Sequence, residues 1–154
     1  MARISPTVET LRHLAEAAGE RLLIDSQPDS SVSLVGLGRA VAGPHGRRDA
    51  IRLAAEFAAR FRSSQPDDRR RMLAAEPRPI GDDRWDAFLG AVAEWLAVAA
   101  GDPTPKWAFD ESRYLRRGWW PSDNRSMDAW EYAGAPLAFK LRGVYIHRDS
   151  LTNV

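Results

Sequence analysis

With 154 residues, 44% of them hydrophobic and 28% charged, the chain has the size and composition of one or two small globular domains. A net charge of +1 gives no general attraction to nucleic acid or an anionic membrane, and the lack of cysteine excludes disulfides, thiol chemistry and thiolate metal sites. No run approaches the roughly 18 apolar residues of a membrane span, and no secretion-signal core is present, so a cytoplasmic location is expected.

In chain order, the first predicted element is a helix. Ser5 is placed to cap it and Pro6 to occupy its first position, while Val8, Leu11, Leu14, Ala15 and Ala18 recur at helical spacing until Gly19. Leu22-Leu23-Ile24 reads as a short strand. Residues 26–46 read as a linker, polar at first and then apolar, with Gly36 and Gly38 weakening any helix before the turn at Gly43-Pro44. Gly36-Leu37-Gly38 is a fragment of a glycine loop without the rest of a nucleotide-binding fingerprint.

An amphipathic helix is predicted over 47–62, burying Ile51, Ala54, Ala55, Ala58 and Phe61. Asp67-Asp68 start another, which runs to Ala75 before Pro77 and Pro79. The longest is expected over 82–100, with a stripe of Trp85, Phe88, Leu89, Val92, Trp95, Leu96 and Ala99, closed by Gly101. Short helices over 126–134 and 136–142 follow, then the apolar Val144-Tyr145-Ile146 and a last turn near Asp149. The expected class is all-α with at most one or two short strands, and residues 47–154 form the main helical domain.

Beyond Pro103 the periodicity fades and aromatic residues and arginines accumulate. Such side chains are enriched at interface hot spots because they bury large areas at small entropic cost. Adjacent residues of an extended segment point to opposite sides, so one of Trp119 and Trp120 is expected to leave the core. With Arg113, Arg116, Arg117 and Trp107 they make the candidate partner-binding set.

Two stretches carry a resemblance. Residues 5–24 resemble the closing helix and strand of a lambda-repressor-like (Xre-type) helix-turn-helix domain. Trp119, Trp120, Ser122, Pro136, Ala138, Phe139, Arg142, Gly143 and Val144 are similar to the C-terminal block of actinobacterial antitoxins that accompany a nucleotidyltransferase-like toxin. The resemblance implies neutralisation of the toxin by direct contact. It also implies that residues 1–25 are a remnant of the DNA module, since the helix that reads the major groove would lie before Met1. A DNA-binding regulator with an incomplete helix-turn-helix is therefore the alternative, and no DNA-binding residue is assigned. The apolar face of the first helix needs cover from its missing neighbours or from a second chain, so a homodimer through residues 1–24 is one expectation.

Enzymatic signatures are sparse. No HExxH motif, phosphate loop or dinucleotide fingerprint occurs, and His13, His45 and His147 fall into no pattern with a neighbouring Ser or Asp. Arg142 and His147 have the Arg-to-His spacing of HEPN-type ribonucleases, an imidazole for proton transfer beside a guanidinium for phosphate. The Gly143-Val144-Tyr145-Ile146 stretch between them opposes the helix that would put both on one face. Asp82, Asp83 and Asp86 suit a helix N-terminus better than a metal, and the Arg69-Arg70-Arg71 run suits a solvated helix face better than nucleic acid. The expectation is a binding protein with no catalytic residue, metal or cofactor of its own.

Overall fold

The computed structural model describes residues 32–152, and the predicted first helix, its strand and the homodimer surface lie outside the described residues. Within them the fold is all-α: six α-helices, short 3-10 turns and one isolated bridge. The helices are α1 (Leu34–Ala42), α2 (Gly46–Ser63), α3 (Pro66–Ala74), α4 (Asp83–Ala100), α5 (Asp128–Gly134) and α6 (Leu137–Lys140).

Helix α1 departs from the sequence expectation. Residues 34–42 are not linker but a capped helix, with the Ser33 hydroxyl accepting from the Gly36 N–H at 3.1 Å and with Leu34, Leu37 and Val41 in the core. Gly38 weakens the helix but permits its packing: a Cβ there would stand 3.0 Å from Pro77 and 3.3 Å from Leu89. Gly46 does the same at the start of α2, where a Cβ would collide with the carbonyls of Ala40 and Val41. The two helices thus form a hairpin around Gly43-Pro44, and the packed domain starts well before residue 47.

Helix α2 matches its prediction within a residue at each end. It buries Ala54, Ala55, Ala58 and Phe61 as expected, adds Ala50 and Phe57, and leaves Ile51 half-buried. Pro66 supplies the first residue of α3, where a missing N–H costs nothing.

Helix α4 is the centre of the domain. Nine consecutive residues, Trp85 to Ala93, are buried, so its first half is enclosed all round and is not an amphipathic helix with one buried stripe. Small residues make this enclosure fit: Ala87, Gly90, Ala91 and Ala93 let neighbours approach between Phe88, Leu89 and Val92. Ala99, expected inside, is exposed, and Trp95 is half-buried beneath the Arg62 guanidinium. Gly101 ends the helix in the left-handed conformation (φ 70°), its N–H and that of Asp102 bonding back to Val98 and Ala97.

The start of α4 holds a carboxylate whose titration the fold displaces. Asp82 caps the helix by accepting the Arg84 N–H at 3.1 Å, and its carboxylate also accepts from the Arg84 guanidinium at 3.1 and 3.2 Å. The hydrogen-bonded guanidinium holds the Asp82 carboxyl below its usual range, against a weaker opposing effect of partial burial. The folded-state value is therefore below the unfolded one, and the linked stability is present above the unfolded value and lost as pH falls through the folded one. Urea midpoints followed from neutral pH to below about 4, the ordinary Asp range, should fall less steeply for Asp82→Asn than for the parent chain. Equal slopes would remove Asp82 from the acid-sensitive set.

The C-terminal third wraps α4 with irregular chain. Trp119 and Val144 form a parallel bridge, the Trp119 N–H donating to Gly143 and the Tyr145 N–H to Trp119, each at 2.8 Å. Gly143, at φ 74°, makes the turn that sets up this pairing. The 3-10 turn Arg148–Leu151 then returns the chain to α2 with Leu151 fully buried.

Candidate partner-binding face

Two arginines lie in the interior against Gly90, whose absent side chain leaves them room: a Cβ there would stand 3.1 Å from the Arg113 Cβ and 3.2 Å from the Arg142 Nε. Arg113, expected to meet a partner, is only 2% exposed. Its guanidinium donates to Glu76 at 3.0 Å and to the Pro77 and Asp86 carbonyls at 3.1 and 3.2 Å, beside the Trp107 ring. It is therefore removed from the partner-binding set. A buried charge needs such partners to offset its desolvation.

Arg142 is completely buried. It binds the Glu94 carboxylate and donates to the carbonyls of Ala138 at 3.0 Å and Ala108 at 2.7 Å. The Tyr114 and Phe109 rings lie over it at 4.7 and 6.0 Å. One side chain thus joins α4, the 3-10 turn Lys106–Phe109, the Tyr114 segment and α6.

Those joined segments carry several apolar side chains that face solvent. Leu137 and Leu141, one turn apart through the Leu141 N–H to Leu137 carbonyl bond, are 69% and 60% exposed, and Phe109 and Tyr114 are also exposed. Nearby, Tyr132 packs on Tyr145 beneath the Lys140 ammonium. Arg116 and Arg117, both exposed, border this surface because the Leu115 N–H donates to the Arg142 carbonyl at 3.0 Å and lays that strip alongside residues 141–143.

The other expected anchors are engaged internally. Trp107 is half-buried, its indole N–H bonded to the Leu73 carbonyl at 3.1 Å. Trp119 and Trp120 do split to different neighbours, but neither is free. Trp119 meets Trp85 edge-on at 4.7 Å with Arg84 over its other side, and Trp120 donates to the Asp128 carbonyl at 3.0 Å and packs on Tyr145. Their remaining exposed edges line a polar cleft of about 460 Å³ with Arg84, Asn124 and Arg125.

Arg142 and His147 do not form the pair that phosphate chemistry would use. The guanidinium is enclosed as described. His147 stacks flat on Trp130 at 3.7 Å, fits against Gly134 with no room for a Cβ, and accepts the Asp149 N–H through Nδ1. The buried Glu131 ties this corner together by accepting from the Ser122 hydroxyl at 2.9 Å and the His147 N–H at 2.5 Å. Among the described residues no cluster of three His, Asp or Glu side chains is placed to hold a metal ion, and no helix is long and apolar enough to cross a membrane.

Leu137 and Leu141 carried a signal that sequence reading passed over. They sit four residues apart, at the first residue and the C-cap of a short helix whose other apolar members, Ala138 and Phe139, are both buried. The helix therefore has more apolar surface than its own core can take up. No protein-family model matches the chain, and neither the curated proteins nor the solved structures compared with it give a match.

Proposed function

We propose that this chain is an antitoxin, which neutralises a nucleotidyltransferase-like toxin by binding it through the face around Leu137, Leu141, Phe109 and Tyr114. The class of partner rests on the sequence resemblance. The surface rests on one observation: among the described residues, Phe109, Tyr114, Leu137 and Leu141, four of the eight large exposed apolar side chains, sit on segments that the Arg142 guanidinium ties together. Apolar side chains at such density, on segments held by a buried ion pair, suit a preorganised interface, which loses little entropy on binding.

In this reading the leucines and aromatics are desolvated at the centre, with Arg116, Arg117 and Lys140 at the rim. Rim cations steer and orient more than they add affinity. Carboxylates that hold magnesium in a nucleotidyltransferase cleft are suitable acceptors for them. Inhibition follows from occlusion, with the toxin's cleft covered or held in an inactive shape.

The test is co-expression with the product of the adjacent reading frame. The expected result is a stable complex of the two chains and relief of growth arrest caused by the neighbour alone. A neighbour whose activity and toxicity are unchanged by a stoichiometric excess of this chain would overturn the proposal.

A further inference from the structure

A second surface lies where α3 passes the segment leaving α4. An open cleft of about 450 Å³ runs between Leu73 and Ala74 on one side and Pro103, Pro105 and Trp107 on the other. Its apolar wall is rigid: Leu73 is buried, two prolines restrict the backbone, and the Trp107 indole is anchored to the Leu73 carbonyl at 3.1 Å.

The rim is cationic. Arg69, Arg70 and Lys106 stand around it with one acid, Asp102, which is already bound by Arg70 at 3.2 Å. Arg69 is held by the carbonyls of Phe61 and Arg62, which fix its position without neutralising its charge. Lys106 is exposed and its ammonium makes no ion pair with a described residue. Two positive charges are therefore left beside an apolar trough.

From this complementarity we infer that the cleft binds an acidic, extended segment of the partner polypeptide. An apolar side chain seats against Ala74, Pro103 and Pro105 beside the Trp107 ring, and carboxylates meet Lys106 and Arg69. The inference rests on the partner-binding reading above and extends it. The 3-10 turn Lys106–Phe109 lines the cleft through Trp107 and the leucine face through Phe109, so one partner reaches both. Two linked contacts raise affinity beyond either alone through effective concentration.

The experiment titrates the full chain with a short peptide of leucine, proline and glutamate and with the same peptide carrying lysine for glutamate. Binding is followed at the tryptophan indole N–H signals, with Trp107→Phe identifying that of Trp107. The acidic peptide should shift the Trp107 signal and the basic one should not. Lys106→Glu should weaken binding about threefold to fivefold, the upper part of the range of an exposed ion pair. Ala74→Trp, at an exposed position of the wall, should abolish binding while leaving thermal unfolding near that of the parent chain.

Equal binding of both peptides, no shift at Trp107, or indifference to Ala74→Trp would each overturn the inference. So would concentration-dependent self-association that Ala74→Trp removes, which would assign the cleft to a second copy of this chain. The peptide result stands apart from the antitoxin reading: an acidic peptide held in the cleft by a chain that never engages the neighbouring gene product keeps the cleft and removes the toxin. A toxin complex insensitive to Lys106→Glu and Ala74→Trp, with no peptide shift, does the reverse.

Discussion

Replacing Leu137 and Leu141 together by glutamate is expected to abolish binding of the proposed toxin partner while leaving the fold intact. Truncating one central anchor of an interface typically costs about 2 kcal/mol or more, which is roughly thirtyfold in affinity. Two adjacent carboxylates buried without partners would cost more than that. Both side chains are largely exposed in the isolated chain, so its own stability should change by no more than about 0.5 kcal/mol. Affinity from calorimetry and the urea midpoint, measured on the same preparations, separate the two effects. Unchanged affinity with an unchanged midpoint would remove this face from the interface. Reversal of Arg116 and Arg117 to glutamate should act differently, slowing association and changing its salt dependence more than the rate of dissociation.

Arg142→Met should be the most destabilising single change at the site, at about 3–5 kcal/mol, the range for breaking one side of a buried ion pair. The loss has a definite origin. The Glu94 carboxylate and the carbonyls of Ala108 and Ala138 lose their donor, and the rings of Tyr114 and Phe109 lose the charge beneath them. Much of the cost is the abandoned carboxylate, so adding Glu94→Gln should recover part of the stability. The double variant separates two roles for Arg142. If it regains stability but still binds the partner weakly, the guanidinium orders the face as well as the core. Full recovery of binding along with stability would reduce Arg142 to a structural residue. A urea midpoint for Arg142→Met within error of the parent chain would contradict the geometry altogether.

The buried arginines also explain why the site was only partly legible beforehand. An arginine in an irregular, aromatic-rich segment, as Arg113 is, has the sequence character of an interface residue. What decides otherwise is that Glu76 and Asp86 come to it from positions 37 and 27 residues earlier, as Glu94 comes to Arg142 from 48 residues earlier. No local pattern reports a partner at that separation. The internal contacts of Trp107, Trp119 and Trp120 are illegible for a similar reason, since the carbonyls and rings that engage them belong to other elements.

Local sequence by itself determined where helices α2, α3 and α4 run and that the class is all-α. Periodicity, a proline at a first turn, an aspartate cap and a terminal glycine act within a few residues, and the observed ends agree to within a residue or so. Only the tertiary structure decided three further matters: that α1 is a helix, that the first half of α4 is enclosed on all sides, and that two guanidinium groups lie inside while two leucines lie outside. Gly38 shows the physical reason. Its intrinsic cost to a helix is a property of the residue, whereas the close approach of Pro77 and Leu89 that outweighs this cost exists only once distant parts of the chain have packed.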